Sequence, residues 1–158
     1  MIAIMAAFFI PHAAASLCVA LFNVSRKNEL RLVAISLLVT CIIFLFMPTA
    51  TSLFSISMMH AVIGLTIGLV LPLLLSQVAS LPDPRLKTSV MGFYQSVYAI
   101  GIFIGPYLAG FAAEHFGISH VFTLAAGISL LALTITGWSI YKDNQQRFSK
   151  EYTAQKTS

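Results

Sequence analysis

The chain has 158 residues, of which 58% are hydrophobic and only 9% charged, whereas soluble domains carry about 25% charged residues. Nine Lys and Arg against five Asp and Glu give a formal net charge of +4, but the basic residues are too dispersed to track a phosphate backbone, which excludes a nucleic-acid-binding face. The two cysteines, Cys18 and Cys41, both lie in apolar runs; disulfide frameworks and metal sites need more ligands at closer spacing, so neither a bound metal nor a cofactor is expected.

The first apolar run, residues 2–22, would make a helix of about 31 Å, long enough for a bilayer core. No basic residue precedes it, so it does not read as a secretory signal. Pro11 and His12 fall near its middle. Residues 23–31 then carry Arg26, Lys27 and Arg31 against Glu29. The second run, 32–47, is aliphatic with Ser, Thr and Phe but no glycine or proline, and is expected to face lipid. An uncharged turn at 48–51 leads to the third run, 53–79, which holds His60, Gly64, Gly68, Pro72 and Gln77. Residues 80–87 follow, with two prolines expected to stop the helix.

The fourth run, 89–113, is expected to start at Thr88 or Ser89 as N-cap. It carries Gly92, Gly101, Gly105, Gly110 and Pro106 inside an apolar stretch. In a soluble helix each glycine would cost about 1 kcal/mol and the proline about 3 kcal/mol. A membrane span tolerates both, because neighbouring helices re-satisfy the backbone. Tyr94, Tyr98, Gly101 and Gly105 share one stripe, with Gly92, Ala99 and Gly110 on the other side. That pattern predicts a central helix packed on two faces, with Gly64 and Gly68 of the third run as natural partners of Gly101 and Gly105 through their small-xxx-small spacing. The fifth run, 118–141, ends in Trp138 and Tyr141 like interfacial anchors. The tail, 142–158, is polar and is expected to be disordered or a short surface helix.

The fold class is therefore an all-α integral membrane protein of five transmembrane helices, with its partner surface the lipid bilayer. All nine Lys and Arg lie in 23–31, 80–88 and the tail, which five spans place on one side. The positive-inside rule predicts an outside N-terminus and a cytoplasmic C-terminus in a plasma (inner) membrane.

Arg85, then Val90-Met91-Gly92-x-Tyr94-Gln95-x-x-Tyr98-x-x-Gly101-x-x-x-Gly105-Pro106-x-x-x-Gly110, resembles the eleventh transmembrane helix of the major facilitator superfamily. The flanking runs fit helices eight, nine, ten and twelve, so the resemblance covers nearly the whole chain. It implies a partial C-terminal half of a secondary active transporter, in which helices eight, ten and eleven border the substrate cavity while nine and twelve lie outside it. The family's basic loop G-x-x-x-D-R-x-G-R-R has a counterpart at Asn23 to Arg31 that keeps the basic charge without the glycines or the aspartate. The resemblance also implies that helices one to seven, half of the cavity among them, would be partners this chain needs, and that five helices alone do not transport.

Candidate substrate-cavity residues are His12, His60, Gln95 and Tyr98. An ionisable side chain within a span is a functional hypothesis by default; the plainer alternative for His12 is a hydrogen bond to a carbonyl freed by Pro11. His60 has interfacial placement or packing beside Gly64 as its alternative, and Gln95 a partner on another helix. Gly64, Gly68, Gly101, Gly105, Pro106 and Gly110 are read as helix-packing positions. The aromatic, uncharged lining predicts export of an amphipathic small molecule. A membrane enzyme is not expected, since Gly127-Ile-Ser129-Leu resembles an intramembrane serine protease motif only loosely and no catalytic partners accompany it. A free-standing protein that binds or regulates a partner transporter is the alternative function.

Overall fold

The computed structural model describes residues 2–22, 24–81 and 83–157, with the backbone alone at 27, 147–151 and 153–157. Five helices follow in order: α1 (Ile2–Leu21), α2 (Arg26–Phe46), α3 (Leu53–Ala79), α4 (Pro84–Phe116) and α5 (Ile118–Thr157), with a short 3-10 turn at Met47–Thr49 between α2 and α3. Each of the five is long and apolar enough to cross a membrane. This is an all-α, multi-pass membrane architecture.

The helices run past the apolar segments that mark them. α2 begins at Arg26 rather than at residue 32, with Ser25 at its N-cap. α4 begins at Pro84, because Asp83 caps it: the Asp83 carboxylate accepts from Arg85 N–H at 2.9 Å. Proline is favoured at a first helical position, where its missing N–H is not needed, so Pro84 starts a helix rather than stopping one. Thr88 and Ser89 are therefore not caps; their hydroxyls donate back to the Pro84 and Arg85 carbonyls. α5 continues through Thr157, so residues 142–157 extend that helix in place of a disordered tail or a separate surface helix. Hydropathy marks where a chain enters lipid, whereas helical hydrogen bonding continues through any run of good helix formers.

α3 occupies the centre of the bundle, packing against α1, α2 and α4, while α2 also packs on α5 and α4 on α5. The expectation of a central α4 does not hold: Ala112 is the one buried residue of that helix among those described. α3 instead buries Ile63, Gly64, Thr66, Gly68 and Leu73. Its two glycines face α1. A Cβ at Gly68 would lie 2.5 Å from the His12 carbonyl oxygen, and one at Gly64 would lie 2.9 Å from the Phe8 carbonyl carbon. The Ser16 hydroxyl closes the same seam by donating to the Gly68 carbonyl at 2.9 Å. Gly101, Gly105 and Gly110 have no atom within 4 Å of a Cβ built on them, so Gly64 and Gly68 pair with α1 and not with α4. The contact of α4 with α3 includes the Tyr94 hydroxyl, which donates to the Leu71 carbonyl at 3.4 Å.

α2 has two unlike faces. Glu29, Val33, Ser36 and Thr40 are buried, whereas Ile35, Leu38, Ile42 and Leu45 are exposed. The first set recurs every three or four residues, one side of a helix, and the second covers the opposite side. Only the second is available to lipid. On the buried side the Thr40 and Thr66 hydroxyls lie 2.7 Å apart. Thr66 is also within 3.0 Å of the Ile63 carbonyl, which takes its single hydrogen and leaves Thr40 as the donor between helices. Against α5, the Cys41 thiol donates to the Ala126 carbonyl and Phe44 stacks on Phe122 at 6.5 Å. The α4–α5 turn passes through Gly117, whose φ of 88° and ψ of 159° suit glycine alone.

Candidate functional site

The four expected cavity residues are spread over three helices, and among the described residues no hydrogen bond or ring contact joins any two of them. His12 lies on α1 beside the α1–α3 seam. Its ring stacks on Phe8 at 5.6 Å, and its Nδ1 is buried without a hydrogen-bond partner, so Nδ1 does not take a carbonyl freed by Pro11. His60 behaves differently: its Nδ1 lies 2.8 Å from the Ile56 carbonyl one turn earlier, a local contact that occupies one ring nitrogen. Gln95 is exposed on α4. Tyr98 is 42% exposed and points from the same helix, on the stripe that Gly101 and Gly105 leave open. Pro106 is exposed within α4. Ser129 is buried in α5, and no histidine, lysine or carboxylate hydrogen-bonds to it among the described residues.

A polar cluster that hydropathy did not single out lies at the end of the bundle where α1 and α3 finish and α2 starts. Glu29, one turn into α2, is 6% exposed. The Ser76 hydroxyl of α3 donates to its Oε1 at 2.8 Å, and the Gln77 amide donates to its Oε2. A carboxylate buried among apolar helices is costly unless hydrogen-bonded or paired. Here both donors are neutral, and no Lys, Arg or His ion-pairs with Glu29 among the described residues. The carboxylate borders a cavity of about 530 Å³ whose other walls include Val19, Phe22, Val24, Pro72 and Leu75. Gln77 also borders a second cavity of about 380 Å³, together with Arg26, Leu30 and Asp143, so Gln77 links the buried acid to a charged rim formed by α2 and α5.

The signal for this cluster was present in the sequence. Glu29 stands at the head of the stripe Glu29–Val33–Ser36–Thr40, which contrasts with the Leu and Ile of the other face. Grouping residues 23–31 as a loop hid it, because a loop carboxylate is expected in water. Cys18 is exposed and Cys41 buried, both as free thiols. No group of three or more metal-ligating side chains occurs among the described residues.

Among known proteins, the family model described as Major Facilitator Superfamily matches residues 1–155. No curated protein and no solved structure gives a significant match.

Proposed function

Because the chain belongs to the major facilitator superfamily, a family of membrane transporters, we propose that its five helices act as helices eight to twelve of a secondary active transporter that exports an amphipathic small molecule. The observation that carries this reading is the open face of α4. Gln95 and Tyr98 are exposed there, and nothing lies within 4 Å of a Cβ at Gly101 or Gly105. An exposed polar amide and an exposed phenol on the otherwise apolar surface of α4 suit a wall of a translocation path that other helices close. His12 on α1 and His60 in the first turns of α3 are further candidates for the wall of that path.

The membrane is a bacterial-type inner membrane, with the Glu29 end of the bundle cytoplasmic. Support for that orientation comes from Arg26 and Arg31 near the start of α2, Arg85 and Lys87 near the start of α4, and Lys142 in the C-terminal half of α5, segments that alternate spans bring to one side. The lining argues for an amphipathic cargo, since aromatic and amide groups contact such molecules without imposing a full charge.

Transport by this family rocks two sets of helices around a site between them, so the five helices need partners to enclose a path. Expressed in a strain lacking its main exporters, the chain alone is expected to leave dye accumulation at the empty-vector level. Co-expressed with the first seven helices of an exporter of the same family, it is expected to give energy-dependent efflux. Gln95→Leu or Tyr98→Ala should weaken that efflux about tenfold, the effect of roughly 1.4 kcal/mol on a transport step. Efflux by the five helices alone, lost on His12→Ala, would overturn the need for partners. Efflux by the pair that neither α4 substitution alters would overturn the placement of the path.

A further inference from the structure

The cavity beside Glu29 lies at the cytoplasmic-end junction of α1, α2 and α3, away from the α4 stripe assigned to the translocation path. We propose that this cavity is a separate binding site for an amphipathic monocation, with the positive group on the Glu29 carboxylate and the apolar body against α1 and α3.

Three observations converge on that ligand chemistry. The first is charge. Glu29 is 6% exposed, and among the described residues it accepts hydrogen bonds from two neutral groups, Ser76 and Gln77. Those donors satisfy two acceptor positions but bring no positive charge, and a carboxylate has about four such positions. No other described residue fills the remaining ones, which suit an N–H donor or a nearby cation. An opposite charge at that point offsets the desolvation of the buried acid.

The second observation is the character of the walls. Leu21, Phe22 and Val24 close one side, and Pro72 and Leu75 the other, around about 530 Å³. A space of this size, lined by apolar side chains with one charged anchor, has the build of a small-molecule site. A divalent metal ion would require six or more oxygen ligands in a compact shell, and among the described residues Glu29 and Ser76 are the side chains with oxygen atoms on this wall.

The third observation is the arrangement of the other charges. α1 and α3 contribute no titratable side chain to the wall. Arg26 and Asp143 line the neighbouring cavity, which Gln77 also borders. Gln77 thus holds the buried acid while bordering the charged rim, and among the described residues no positive side chain pairs with Glu29, which leaves a negative group for a hydrophobic cation to complement.

The test uses the full chain purified in dodecyl maltoside, which carries no cationic group, with radiolabelled tetraphenylphosphonium as the probe. Saturable binding is expected, at least about tenfold weaker in Glu29→Gln, the loss of roughly one charge contact. Glu114→Gln, at an exposed carboxylate on the opposite end, should bind as the unaltered chain does. Octylammonium should displace the probe and octanol should not. Competition by phosphatidylethanolamine but not by phosphatidylglycerol assigns the site to a lipid ammonium headgroup, and equal failure of both lipids assigns it to a soluble cation. Size-exclusion chromatography verifies that Glu29→Gln is folded; should it aggregate, Leu75→Trp, which fills the cavity while sparing the acid, is expected to abolish binding in its place. No saturable binding, unchanged affinity in the folded variant, or equal displacement by octanol would overturn the proposal. The assay reads binding without a gradient or efflux, so its failure leaves the transport reading untouched, and failure of transport leaves this site standing.

Discussion

Gly64 of α3 lies against the Phe8 carbonyl of α1 so closely that the first carbon of any side chain at position 64 would meet backbone, with the Phe8 carbonyl carbon 2.9 Å away. A flexible side chain could swing aside, but a carbonyl held in its own helix cannot. In lipid, where apolar surface gains little by leaving its surroundings, such close backbone approach is a main source of helix association.

Gly64→Ala is therefore expected to destabilise the bundle by about 1–3 kcal/mol, the range for overpacking a tight contact. Gly101→Ala, with open space around it, should be neutral or stabilise by up to about 1 kcal/mol through helix propensity. Folded yield by fluorescence-detected size exclusion, with thermal midpoints, compares the two. Equal losses would show that the α1–α3 seam does not depend on Gly64.

The Thr40–Thr66 contact ties α2 to α3 through a buried hydroxyl pair. Hydrogen bonds between membrane helices average about 0.6 kcal/mol in double-mutant cycles. Thr40→Val and Thr66→Val should each destabilise by roughly 0.5–1.5 kcal/mol, and the double variant should lose less than the sum. A coupling energy of zero in unfolding titrations would mean that the pair contributes only shape.

Gly117 joins α4 to α5 at φ 88° and ψ 159°, a region essentially closed to residues with a Cβ. Gly117→Ala should cost about 1–3 kcal/mol, although nothing lies within 4 Å of the added carbon. The cost is conformational rather than steric. A thermal midpoint unchanged by the substitution would show that the turn relaxes freely.

Orientation is testable with single cysteines in a Cys18→Ala, Cys41→Ala background. Those introduced at Ser25 and Gln145, beside the basic ends of α2 and α5, are expected to be shielded from an impermeant thiol reagent in intact cells. Those at Thr49 and Ser119, at the opposite ends, should label. Labelling of the first pair from outside would reverse the topology that the basic residues imply.

Membrane class, the number of helices and the family resemblance were legible in the amino-acid sequence, because each rests on local chemistry. Runs longer than the bilayer core, basic residues confined to alternate connections, and the Gly101–Gly105–Pro106 pattern with its flanking tyrosines and Gln95 need no knowledge of neighbours. The ends of α2, α4 and α5 were less legible, since polar residues such as Lys142 to Gln146 extend a helix beyond lipid without altering its hydrogen bonding.

Which faces meet was decided by tertiary structure alone. In water a helix announces its inner side by its apolar stripe, but in lipid the outer side is equally apolar, so periodicity loses its direction. Gly64–Gly68 and Gly101–Gly105 have identical spacing, yet the first pair lies against α1 and the second stands open. Nothing local to either pair separates them. The difference arises from α3 being surrounded by α1, α2 and α4. The same arrangement takes Glu29, an ordinary loop acid by sequence, out of water, because Ser76 and Gln77 arrive from a helix some forty-seven positions further along the chain.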